Sequence, residues 1–222
     1  FKDKKYFVTP FGKLVSFLYL NPETAVTFKK IIQSIKSNSF KKNNIFGFLH
    51  IITTSPDFYP KFQFRKQDID EFSILFYNNY DEFFFDVEVI DCSRSLWTLY
   101  EWITEASEKR IHEKMAIEPG DIHRIVEVSN WMISSIFEIT KLLDRQDLLP
   151  SIFSLQNRIK HGIKQELVPL VQIKDIGRAR ARSLYSHGIY IPNDLLTISE
   201  SKLSSIPKIG PKLAKKLKKN YT

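Results

Sequence analysis

The chain has 222 residues, 43% of them hydrophobic and 26% charged, with 33 Lys+Arg against 25 Asp+Glu and a formal net charge of +8. That length buries a real core and leads us to expect two compact units plus a remnant. The single cysteine, Cys92, excludes a disulfide framework and a cysteine-based zinc site and suits a cytoplasmic protein; no apolar run approaches the roughly 20 residues that span a bilayer, and no secretory signal opens the chain.

The chain begins at Phe1 rather than methionine, so it is expected to be a piece of something longer, with residues 1–20 the end of one unit running into the next. Asn21 is placed to cap a helix, Pro22 suits its first position, and Ala25, Phe28, Ile31, Ile32 and Ile35 form an apolar stripe. Further helices are expected near 44–53, 66–80, 94–115, 121–144 and 147–163, the spacing of a helical bundle. The stretch 53–65 contains Pro56 and Pro60 and reads as a connecting loop. Aromatics are dense from Phe72 to Phe85, and their alternation with Asn and Asp favours core packing over a base-stacking platform.

After Pro119-Gly120, Asp121 is a good N-cap for a helix running to about Leu143. Ile122, Ile125, Met132, Ile133, Ile136, Ile139 and Leu143 share one broad face at about 100° per residue. Arg124 and Trp131, seven residues apart, align within roughly 20° of each other and lie well off that stripe. Val128 and Ser135 extend the second face. On spacing alone two readings stand: Trp131 stacks on an unpaired base while Arg124 contacts phosphate, or Trp131 packs against a neighbouring helix.

The charge is not spread evenly. Residues 1–163 carry 21 Lys+Arg against 21 Asp+Glu, whereas residues 164–222 carry 12 against 4, a difference of eight that accounts for the entire net charge. These cations sit on a repeated pattern. Ile173 to Leu184 reads IKDIGRARARSL, with a turn at Asp175-Ile176-Gly177 followed by Arg178, Arg180 and Arg182. Leu203 to Lys219 reads LSSIPKIGPKLAKKLKK, with Gly210 suited to the positive φ of a short turn and Pro211 to the first helical position. Lys212, Lys215 and Lys216 lead the lysines that follow. Unpaired amides at such helix starts bind phosphate without reading base sequence. The plainer reading is a solvated basic helical tail; two turn glycines in register weigh against it.

No GxxxxGK[ST] loop, GxSxG elbow or GxGxxG occurs, and the five histidines show no metal-ligand spacing, so no catalytic centre and no metal site is expected here.

The run EPGDIHRIVEVSNWMISSIFEITKLL followed by IKDIGRARARSLYSHGI resembles the C-terminal portion of archaeal Hjm-type DNA repair helicases, superfamily-two, Ski-like motors. TPFGKLVSFLYLNPETA and GFLHIITTSPDF also look like that family. The resemblance implies an all-α chain: the tail of a winged-helix domain (1–20), a bundle (21–163) whose ratchet helix is about 121–143, and a tandem helix–hairpin–helix domain (166–222). It implies that Arg124 and Trp131 lie along a translocating single strand, and that Arg178, Arg180 and Arg182 grip the strand as it emerges. The implied parent is an ATP-dependent 3′–5′ DNA helicase of fork repair, needing ATP and Mg for motor domains that are absent here. This chain would then need no cofactor and would perform no hydrolysis or unwinding. Its partners would be single-stranded and branched DNA and those motor domains, with no membrane. Two other classes remain open: a protein-interaction platform of a Ski-like RNA helicase or translocation factor, and a junction-targeting subunit of a structure-specific nuclease.

Overall fold

Local chemistry sets where each helix begins. In the computed structural model, which describes residues 7–35 and 44–220, every regular element among the described residues is helical. Helix α1 (Pro10–Phe17) starts where the Thr9 hydroxyl accepts the Gly12 amide at 3.0 Å. Helix α2 (Pro22–Ser34) starts as its sequence predicts: Asn21 accepts the Glu23 amide at 2.9 Å and Pro22 takes the first turn. Ala25, Phe28 and Ile32 are fully buried. Residues 1–6 of the expected winged-helix remnant lie outside the described residues.

Helix α3 (Ile45–Thr54) is apolar on all sides and almost wholly enclosed. A Cβ on Gly47 would fall 2.8 Å from the Glu82 carbonyl and 2.9 Å from the Phe84 ring. The Glu82 carboxylate in turn accepts the Ile45 and Phe46 amides at 3.1 and 3.3 Å, setting negative charge against the start of the helix. Helix α4 (Ile69–Asn78) follows a 3₁₀ turn at Lys66–Asp68. The aromatic-rich stretch packs inward: Phe64 lies 4.6 Å from Phe72, Phe72 lies 5.5 Å from Trp97, and Phe76 lies 5.1 Å from Phe83, measured between ring centroids.

The helix expected over 94–115 is two, α5 (Arg94–Ile103) and α6 (Glu108–Met115). Between them Glu105 is left-handed (φ 71), and Ser107 restarts the chain by accepting the Arg110 amide at 3.2 Å. Helix α7 (Pro119–Leu142) has 24 residues and is therefore about 36 Å long. Its N-cap is Glu118 and Pro119 occupies the first turn, so Asp121 lies inside the helix rather than capping it. Ile122, Ile125, Met132, Ile133, Ile136 and Ile139 are buried as the stripe requires. Helix α8 (Leu149–His161) returns along α7, with Gln156 Nε2 donating to Ser134 Oγ at 2.8 Å. It stops at Gly162 (φ 63), where a Cβ would lie 2.6 Å from the Trp102 ring. Only glycine fits that crossing.

A second core begins at Ile163 and is separate from the bundle core. It is enclosed by five helices: α9 (Val168–Val171), α10 (Arg178–Ser186), α11 (Asp194–Thr197), α12 (Glu200–Ser204) and α13 (Gly210–Asn220). Among the described residues, no helix is long and apolar enough to cross a membrane.

Candidate nucleic-acid interface

The two hairpins repeat residue for residue. Ile176 and Ile209, Ala181 and Ala214, and Leu184 and Leu217 are buried at matching places, and Asp175 and Lys208 take the same left-handed conformation (φ 68 and 70). The tight turn therefore relies on non-glycine residues at its first corner. Gly210 does adopt positive φ (55), whereas Gly177 is extended (φ −95) and acts as the N-cap of α10. Helix geometry turns the first amides of α10 and α13 outward from these turns, the arrangement that receives an anion.

Side chains tie the hairpins to each other. Arg180 donates to the Asp175 carbonyl at 2.7 Å and the Lys208 carbonyl at 3.2 Å, and Ser183 donates to the Pro207 carbonyl at 2.6 Å. Lys216 pairs with the Asp175 carboxylate, and this hydrogen bond holds that carboxyl below its ordinary range. Arg180 and Lys216 remain exposed while making these bonds.

The other two arginines point elsewhere. Arg178 donates to the Ala106 carbonyl at 2.9 Å, and its guanidinium lies 5.2 Å from the centre of the Trp102 ring; burial there pulls its pKa down. Arg182 pairs with Glu105 and, at 2.8 Å, with Glu166. Burial lowers the Arg182 pKa, but hydrogen bonds to Glu166 and Glu105 outweigh it and hold the guanidinium above its usual value. Both arginines thus join the hairpin domain to the α5–α6 corner. Of the three arginines expected to face a nucleic acid, Arg178 is bonded to the Ala106 carbonyl and Arg182 to Glu105 and Glu166, while Arg180 is exposed. Trp102 completes the seam by donating to the Ile159 carbonyl at 2.8 Å.

What stays open is the second hairpin. Lys208, Lys212, Lys215 and Lys219 are exposed, and Lys212 and Lys215 make no ion pair among the described residues. Lys218 instead donates to the Leu195 carbonyl at 2.8 Å. Beside the first hairpin lies a groove of about 460 Å³ between the end of α8 and the Asp175-Ile176-Gly177 turn. Lys160, His161 and Lys174 line it, and Gln172 donates to Asn157 Oδ1 at 2.8 Å across it. Burial, reinforced by Lys160, lowers the His161 pKa. Sequence reasoning missed these three basic residues. They flank the bundle–hairpin junction, where a cluster of basic residues around a glycine was the available sign.

On α7, Arg124 is exposed and Val128 is partly buried. Trp131 is also partly buried: it packs against the bundle core and donates its indole N–H to the Leu18 carbonyl at 3.0 Å. Ser135 is fully buried and donates to the Trp131 carbonyl at 2.9 Å, so it offers no surface to a ligand. The α1 end thus fills part of the second face of this helix, a neighbour that helical spacing alone does not reveal. Among the described residues, no group of three or more His, Cys, Asp or Glu side chains is placed to hold a metal ion.

Comparison with known proteins agrees with this layout. Residues 46–162 match the family model described as archaeal helicase, domain 4, and residues 167–220 match that of the SAM-like helix-hairpin-helix tandem. The chain is similar to the ATP-dependent DNA helicase Hel308 of Pyrococcus horikoshii, with 33% identity over 98% of this chain and 31% of the relative. Hel308 of Thermococcus kodakarensis is 31% identical over 95% of this chain and 19% of the relative. Hel308 of Pyrococcus abyssi is 33% identical over 92% and 29%. The chain therefore spans less than a third of the length of these relatives. With a family model that matches more than half of its residues, the chain belongs to the archaeal helicase domain 4 family and carries, directly after that domain, a SAM-like helix-hairpin-helix tandem.

Proposed function

We propose that this chain is the DNA-holding C-terminal part of an ATP-dependent 3′–5′ DNA helicase that acts on single-stranded and forked DNA during replication-fork repair in the cytoplasm. Lys212 and Lys215, exposed on the first turns of α13 and without an ion pair among the described residues, are the observation that carries this reading. Cations at a helix start, with outward-facing amides, hold a phosphate by charge and hydrogen bond together. The groove lined by Lys160 and Lys174 leads from the bundle to the first hairpin and extends the cationic track. Arg124 contributes a further exposed cation on α7, and the open part of the Trp131 ring is the stacking surface for a base. Lys216 and Arg180 set the spacing of the two hairpins, and Arg178 and Arg182 position the hairpin domain against the bundle.

In this reading ATP and Mg serve motor domains elsewhere in the parent, and this chain itself hydrolyses no ATP. Its residues grip the strand between motor strokes. Fluorescence anisotropy on labelled single-stranded and forked DNA, over a series of salt concentrations, tests it. Affinity should fall steeply with salt, and Lys212→Ala with Lys215→Ala should reduce the log–log slope by about 2. A slope unchanged in that double variant overturns the hairpin assignment, and equal affinity for forked DNA and blunt duplex overturns the substrate preference.

A further inference from the structure

The bundle carries a second surface whose chemistry is opposite to that of the hairpins. A groove of about 780 Å³ runs between α4 and the 3₁₀ turn at Val89–Asp91. Its floor is apolar, with Phe76 and Val87 almost fully buried. Its rim is apolar too, yet open to solvent: Tyr77 is 69% exposed and Ile90 77%. Ile74, one helical turn before Tyr77, is 67% exposed. A contiguous apolar surface on a soluble domain marks an interaction site more often than chance.

Around this groove the charge is one-sided. Residues 66–91 hold eight Asp and Glu against one lysine, Lys66. Among the described residues, Asp68 pairs with Arg65 and Glu71 with Lys114. Glu88 lines the groove, and Asp70, Asp86 and Asp91, each next in sequence to a lining residue (Ile69, Val87 and Ile90), are exposed. The walls are built before anything binds: Asp91 accepts the Glu88 amide at 2.9 Å, and the Tyr80 hydroxyl donates to Asp86 at 3.2 Å. A nucleic acid is repelled from such a rim. An apolar floor with an acidic border instead matches a helix that has apolar residues on one face and Lys or Arg beside them. The cationic helix of this chain, α13, cannot supply that face, because Ala214 and Leu217 are buried in the second core.

We propose that the groove between α4 and Val89–Asp91 is a docking site for a cationic amphipathic helix of a partner protein. Apolar residues one helical turn apart seat on Phe76 and Val87 between Tyr77 and Ile90, and the flanking cations face Asp70, Glu88 and Asp91. This surface is independent of the DNA-binding reading and stands if that reading fails.

Titration of the whole chain into a fluorescein-labelled peptide of leucine and lysine at helical spacing tests it, with a scrambled peptide of the same composition alongside. The amphipathic peptide should bind, and the scrambled one should bind about ten-fold more weakly, since apolar anchors carry such interfaces. Tyr77→Glu with Ile90→Glu adds negative charge, so a purely electrostatic contact would strengthen; the docking site predicts instead a loss of about ten-fold. Both side chains are exposed, so the thermal melt of the variant should match that of the parent chain, and its affinity for single-stranded DNA should be unchanged. Lys212→Glu should leave peptide binding as it is. Four outcomes would overturn the proposal: no binding, equal binding of both peptides, undiminished binding by the groove variant, or a concentration-dependent dimer in light scattering that the groove variant abolishes, which would make a second copy the occupant.

Discussion

The two hairpins share a backbone and divide the labour. Arg182 and Lys215 occupy equivalent positions one repeat apart, both basic and both one residue after a fully buried alanine, Ala181 or Ala214. Arg182 is paired with Glu105 and Glu166, whereas Lys215 faces solvent with no ion pair among the described residues. The same contrast holds for the surfaces that the two helices present, since α10 lies against the α5–α6 corner and α13 lies open. A basic residue after a hairpin turn is therefore not in itself a free cation. What stands opposite it decides.

The sharpest way to break this contrast is at the seam itself. Gly162→Ala places a Cβ within 2.6 Å of the Trp102 ring on a left-handed residue, so a loss of about 2–4 kcal/mol is expected in chemical denaturation. A stability unchanged by this substitution would mean that the bundle–hairpin junction yields freely. Next in size is the direct swap between repeats. Arg182→Ala should cost about 1–2 kcal/mol, at the lower end for a charged network because the guanidinium is partly exposed, and should leave the salt slope of DNA binding unchanged. Lys215→Ala should do the reverse, leaving the melt in place and lowering that slope by about 1. If Arg182→Ala lowers the slope as much as Lys215→Ala does, the division of labour is wrong.

Smaller effects sharpen the picture of α7 and of the seam. Trp131→Phe keeps a ring but removes the donor to the Leu18 carbonyl, so about 1 kcal/mol of stability should go while single-strand affinity stays close to that of the parent chain. Lost affinity with an intact melt would instead place the indole N–H on DNA. Glu166 titrates below its ordinary range: burial raises its pKa, but the Arg182 hydrogen bond outweighs this and lowers it. A carboxyl depressed in the folded state contributes stability that is present above its unfolded pKa of about 4.3 and is lost as the pH falls through the folded value. Limited proteolysis across 162–166 should accordingly quicken on acidification below that range, and Glu166→Gln should flatten the profile. Least affected by any reagent should be Cys92, whose buried thiol is pushed up to about 12; alkylation at neutral pH should require unfolding.

Legibility from sequence followed the range of the interaction. The cap at Asn21-Pro22 and the buried stripe from Ile122 to Ile139 were readable because each depends on residues within a turn or two. The break between α5 and α6 was not, since Thr104-Glu105-Ala106 contains neither glycine nor proline and Glu105 takes a left-handed φ that its type disfavours. Asp121 read as the start of α7, but Pro119 takes the first turn and moves the N-cap back to Glu118. Lys160, His161 and Lys174 become a cluster only when α8 and the first hairpin are brought together.

By itself, then, the sequence determined that this is an all-helical chain with a tandem hairpin domain holding the whole net charge, because helix periodicity, turn residues and charge count are properties of short stretches. Only the tertiary structure decided which of those charges are available. Arg178 and Arg182 were drawn into the seam by an open carbonyl and by carboxylates more than seventy and, for Glu166, sixteen residues away in the chain. Side chains compete for the nearest partner in space, and that neighbour is not written in the local pattern.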